Sequence, residues 1–121
     1  MSPRAAHELS RIGLLAALPG ERLAKLGERM RREQVEPGQA LLLEGDSGER
    51  FYVLLSGLLA VTQEYRGERG LLRPGDYFGE VGAALGIPRT ATVRAVMPST
   101  VASCDRETFD EFVRPLFADD E

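Results

Sequence analysis

The chain has 121 residues, 43% of them hydrophobic and 28% charged, with a formal net charge of -4. That length holds one domain with one core, and the acidic balance argues against a surface built to bind nucleic acid directly. One cysteine, Cys104, excludes an intramolecular disulfide; with a single histidine, His7, the chain lacks the ligands of a cupin-type metal centre and the parts of a Ser-His-Asp or Cys-His catalytic set.

The predicted elements run in three blocks, as one domain over 1–121. Helices are expected over about 5–31. Leu9, Ile12, Leu15 and Ala16 recur at helical spacing, Pro19-Gly20 interrupts, and Leu23, Leu26 and Met30 form a second apolar side. A β-roll is expected over about 32–104, from seven short strand candidates: Glu33–Glu36, Ala40–Leu43, Phe51–Ser56, Leu58–Gln63, Gly70–Leu72, Thr92–Ala95 and Thr100–Ser103. Turn signals such as Gly45-Asp46, Ser56-Gly57 and Pro74-Gly75 separate them. A C-terminal helix is expected over about 105–117. Asp105 is its N-cap, Phe109, Phe112 and Val113 its apolar side, and Pro115 its stop, with a frayed tail Asp119-Asp120-Glu121. The fold class is therefore mainly β with flanking helices, a jelly-roll-like double-stranded β-roll. Apolar stretches such as Ile12–Leu18 and Phe51–Leu55 are too short to enter a membrane as spans, and no signal peptide opens the chain, so a cytoplasmic protein is expected.

One interval, Phe78 to Val93, breaks the strand rhythm. Gly79 permits an unusual φ or a close approach. Val81 to Leu85 are small or apolar and make a helical turn ended by Gly86. The N–H groups of Gly82 and Ala83 at the head of that turn suit an anion. Pro88 fixes the chain before Arg89, whose forked guanidinium matches phosphate oxygens. Glu80 would repel an anion but suits a sugar hydroxyl, because a carboxylate only accepts hydrogen bonds. A phosphate beside a hydroxyl points to a nucleotide.

This interval resembles the phosphate-binding cassette of the cyclic nucleotide-binding domain family, with Phe78-Gly79-Glu80, a short helix, Pro88-Arg89, and Ala91-Thr92-Val93. Gly45-Asp46-Ser47-Gly48-Glu49-Arg50 followed by Phe51-Tyr52-Val53-Leu54 and Gly57 resembles a second pattern of that family; Leu42 departs from it, standing where Val or Ile is usual. The resemblance implies a sensor that catalyses nothing and needs no cofactor. Its ligand is cAMP or cGMP, with Glu80 on the ribose 2′-hydroxyl and Arg89 on the cyclic phosphate. Gly82 and Ala83 would assist the phosphate, and Val61 and the stretch Arg69-Gly70-Leu71 would lie near the base. Phe78, Gly79, Val81 and Ala91 complete the expected site. Thr90 stands where a hydroxyl is associated with cGMP and also occurs in cAMP binders. Binding is expected to move the terminal helix through Phe109 and Phe112. No lid helix or output segment is visible after Pro115, which leaves open a stand-alone sensor with an unidentified effector partner, a regulatory domain of a larger transporter or signalling protein, or an interaction module that no longer uses ligand.

Overall fold

Two four-stranded antiparallel sheets face each other, and the helices cover the outside of one of them. The computed structural model describes residues 7–117; the expected helix start at residue 5 and the acidic tail lie outside those residues. Among the described residues there are eight strands: β1 (Arg31–Val35), β2 (Ala40–Leu42), β3 (Phe51–Ser56), β4 (Leu59–Gln63), β5 (Gly67–Leu72), β6 (Tyr77–Phe78), β7 (Thr92–Ala95) and β8 (Ser99–Cys104). One sheet has the order β1-β8-β3-β6 and the other β2-β7-β4-β5.

β3 and β8 are buried on both faces; β3 accordingly reads as a continuous apolar run, while β8 fills its buried positions with small residues, Ser99, Ala102, Ser103 and Cys104 among them. Phe51 and Val53, with Ala102 and Cys104, face the helices, where Leu9, Ile12, Leu26, Phe109 and Phe112 meet them. Tyr52, Leu54 and Val101 face the opposite sheet and meet Leu42, Leu59 and Val93. Cys104 is fully buried in the helix-side core, and burial pushes its thiol up to about 12.

The helical blocks differ from expectation in instructive ways. The first one is broken into a turn at residues 7–9, a 3-10 turn at Leu15–Ala17 and a helix at Gly20–Arg29. Ser10 Oγ donates to the His7 carbonyl at 2.6 Å and competes with the backbone ladder, and Gly13 weakens helix propensity next to it. Leu9, Ile12 and Leu15 are nevertheless buried, whereas Ala16 is exposed.

At the other end, Pro115 does not stop the helix. The helical run covers 106–117 as an α-turn (Arg106–Thr108), a π segment (Phe109–Val113) and a final α-turn (Arg114–Phe117). Asp105 caps it, accepting from the Thr108 N–H at 2.9 Å. Inside the widened segment the Arg114 N–H bonds the Phe109 carbonyl. A proline has no N–H to give the carbonyl four residues back, here that of Glu111. The Arg22 guanidinium reaches that carbonyl at 3.4 Å. The π widening and this donor together let the helix pass through the proline.

Candidate ligand-binding site

A cavity of about 220 Å³ opens where the cassette meets the second sheet. Its backbone is held at fixed points. Gly79 ends β6 in a left-handed conformation, with φ 83°, and caps the helix Glu80–Leu85; Gly86, φ 69°, ends that helix. The Ala83 N–H donates to the Gly79 carbonyl at 3.1 Å. Ala83 is thus already engaged and fully buried in the helix-side core, outside the cavity lining, whereas Gly82 lines the cavity. The expected pair of free N–H groups is shifted because the helix begins at Glu80, one residue earlier than the sequence implied.

Arg89 occupies the polar end. Its backbone N–H donates to the Asp46 carbonyl at 2.8 Å, and its carbonyl accepts from the Gly45 N–H at 2.9 Å. The two family-like patterns therefore meet at this one residue, with the 45–46 turn fixing the arginine backbone. The residue is 8% exposed. Its guanidinium donates to the carbonyls of Arg50 (3.2 Å) and Gly79 (3.4 Å). No carboxylate pairs with it among the described residues. Burial lowers its pKa from the ordinary arginine value, and Tyr52 acts in the opposite sense.

Glycines make room for that guanidinium. A Cβ on Gly82 would stand 2.6 Å from Arg89 Nη1 and 2.5 Å from the Gly48 carbonyl oxygen. A Cβ on Gly48 would meet Arg89 Nε at 3.0 Å. Both contacts are closer than a side chain tolerates without displacement. Glu80 lines the same cavity, half-buried, at the head of the cassette helix. Phe78 is buried and stacks on Tyr52 with ring centroids 4.9 Å apart.

Apolar residues form the other end. Val61, Leu42, Leu72 and Val93 line it, with Thr90 and Ala91 at the side leaving the cassette. Of the residues expected near the base, Val61 lines the cavity. Leu71 does not line the cavity and Leu72 does. Register explains this: Leu72 is paired with Leu59 and Gly70 with Val61, so Leu71, opposite Ala60, points to the other face. Gly70 is on the inner face but brings no side chain. Thr90 is exposed at the cavity edge, and its carbonyl accepts from Gln63 Nε2 at 2.9 Å. Gln63 and the 45–46 turn were not foreseen as parts of this site; alternation along β4 beyond Val61 was the available signal for Gln63.

The described residues contain no group of three or more His, Cys, Asp or Glu placed to hold a metal ion, and no helix long and apolar enough to cross a membrane. The sequence profile of the family described as "Cyclic nucleotide-binding domain" matches residues 32–115. The chain is 36% identical over 111 residues to a cAMP-dependent protein kinase regulatory subunit of Yarrowia lipolytica, covering 89% of this chain and 29% of that protein. It is 32% identical over 114 residues to the cGMP-dependent protein kinase egl-4 of Caenorhabditis briggsae, covering 89% of this chain and 15% of that one. It thus spans less than a third of these relatives. Among solved structures, the regulatory domain of Toxoplasma gondii PKA with cAMP superposes with a TM-score of 0.88 at 24% identity, over 93% of this chain and 45% of that one.

Proposed function

The chain belongs to the cyclic nucleotide-binding domain family, and from that premise we propose that it is a non-catalytic sensor that takes cAMP or cGMP into the cavity beside Arg89. One observation carries this reading: a nearly buried guanidinium with no carboxylate partner among the described residues, lining a cavity that Glu80 also lines. A desolvated, uncompensated cation is unfavourable for folding and favourable for an anionic ligand. The cyclic phosphate supplies that anion, and the planar fork takes its two free oxygens together. Gly82 at the head of the cassette helix lies beside the same oxygens. Glu80 takes the ribose 2′-hydroxyl, which is the one ligand donor suited to a carboxylate there. The purine then lies along Val61, Leu72 and Val93, where burial of its faces adds a non-directional contribution.

No step of bond making or breaking is assigned to any residue, and no cofactor. The kinase regulatory subunit and the kinase named above support a sensor that regulates the activity of an effector partner, and a cytoplasmic setting is part of the same proposal. Thermal unfolding with cAMP, cGMP and a cyclic dinucleotide tests the proposal. A ligand that binds only the folded state raises its stability by about 2.7 kcal/mol at a hundred times its Kd. An upward shift with either mononucleotide supports the reading. No shift with any of the three would leave an interaction module that keeps the roll without using ligand.

A further inference from the structure

β4 presents alternate side chains to the inside of the roll. Leu59 is fully buried there, Val61 lines the cavity, and Gln63 is the next residue on that face. The backbone at this point is anchored. The Glu64 N–H donates to Glu44 Oε1 at 2.8 Å, and the Glu44 N–H donates to Thr92 Oγ1 at 2.9 Å, tying the end of β4 to β2 and β7. From that fixed base the half-buried Gln63 side chain crosses to the segment leaving the cassette, where Nε2 holds the Thr90 carbonyl at 2.9 Å.

Thr90 and Ala91 line the cavity on one side and Val61 on the other. Gln63 does not itself line the cavity; it stands one alternation beyond Val61 on β4 and is bonded to Thr90, so it neighbours two residues that do. A glutamine amide carries two N–H donors and one acceptor oxygen. One donor is engaged by Thr90; Oε1 accepts no hydrogen bond among the described residues and is open to solvent. Because the amide is planar, holding Nε2 against one carbonyl also fixes the direction of Oε1. The apolar walls contact the faces of a purine and cannot tell one base from another. Selection must come from polar groups at the base edge, as an amide does when it meets adenine.

We propose that Gln63 reads the base, its Oε1 accepting a hydrogen bond from an exocyclic amino group of the purine. The assignment rests on the nucleotide-binding reading above and names the residue that makes it selective.

Four ligands test it in two pairs, by calorimetry on the wild-type chain and on Gln63→Met. One pair is cAMP and cyclic purine riboside monophosphate, which lacks the 6-amino group. The other is cGMP and cyclic IMP, which lacks the 2-amino group. Wild type is expected to favour the amino-bearing member of at least one pair by about three- to tenfold. Gln63→Met is expected to remove that preference, the amino-bearing member losing more affinity than the deaminated one. A preference that survives the substitution, or no preference in wild type, overturns the assignment. So does an equal loss for all four ligands, which would mark Gln63 as a tether for Thr90 alone. Binding of none of the four by wild type overturns the underlying reading and this one with it. Gln63→Ala serves the same comparison should the methionine variant fail to fold.

Discussion

Arg89 is held in place by more of the molecule than its own stability warrants. Its backbone is bonded on both sides to Gly45-Asp46, Gly48 and Gly82 leave it room, and its charge is buried with carbonyl partners only. Carbonyl dipoles compensate a guanidinium less well than a carboxylate does, which is the burial penalty that lowers its pKa. Replacing it with an apolar side chain of similar length removes that penalty together with two hydrogen bonds. Arg89→Met is therefore expected to unfold within about 1 kcal/mol of wild type in urea, while binding weakens by roughly thirty- to a thousandfold from loss of a charge-assisted contact. A large loss of stability with unchanged affinity would make the arginine a structural residue. Glu80 makes the complementary case. Its half-buried carboxylate lines the cavity, and a 2′-deoxy cyclic nucleotide would leave it without the donor proposed for it. The deoxy ligand is expected to bind with a deficit of about 1–3 kcal/mol by calorimetry; equal affinities would show that Glu80 faces something other than the sugar.

Among the elements, the terminal helix depends most visibly on one side chain. Asp105 accepts the Thr108 N–H, and that bond holds its carboxyl below the ordinary carboxylate value. A carboxylate whose pKa is lower in the folded state stabilises the fold in its ionised form. The contribution is complete above the unfolded-state value near about 3.9 and is lost as pH falls through the lower folded-state value. Asp105→Ala is thus expected to cost about 1 kcal/mol in urea unfolding at pH 7, with the gap to wild type narrowing as pH falls below the unfolded-state value; a gap independent of pH would assign the effect to packing. This cap was legible in the sequence, as were the strands whose apolar runs lie between turn signals. What was not legible shares one cause, that a local pattern does not carry register. β6 is two residues long, too short for a period to appear, and exists because Tyr52 and Val53 offer it an edge. In the β4–β5 hairpin, Gln63 pairs with Gly67 and Thr62 with Glu68, and a regular ladder continued from there would set Leu71 opposite Leu59. The bulge at Arg69 moves Leu72 into that place and so exchanges the residue that lines the cavity. Helix continuity past Pro115 was hidden for a similar reason, since the donor that replaces the missing one, Arg22, is far away in sequence.

At the scale of the whole molecule, the cavity is joined to both helical blocks by contacts that begin at the cassette. Arg114 Nη2 donates to the Ala84 carbonyl at 3.0 Å, one of the unpaired carbonyls at the end of the cassette helix, while its Nε is held by Asp110 at 2.8 Å. Phe109 of the same run packs on Phe51 with centroids 5.2 Å apart. Further along, Glu111 pairs with Arg29 at 2.6 Å, and Arg22 lies over the Phe112 ring at 4.1 Å, so the terminal helix also grips the helix Gly20–Arg29. A cassette that closes on a phosphate carries the Ala84 carbonyl with it, and the residue bonded there must follow or let go. Ligand can shift the terminal helix only by the difference in its affinity for the two arrangements. Proximity alone does not establish such coupling, which calls for a perturbation of the link itself. Amide exchange at saturating ligand supplies it. Protection is expected over 79–92 in both wild type and Arg114→Met, with altered exchange over 106–117 in wild type only. Unaltered exchange over 106–117 in wild type would mean that the terminal helix does not respond. An identical response in both proteins would place the coupling in the aromatic packing of Phe109 and Phe112, because those rings are the other route by which the helix senses the sheet and cassette beneath it.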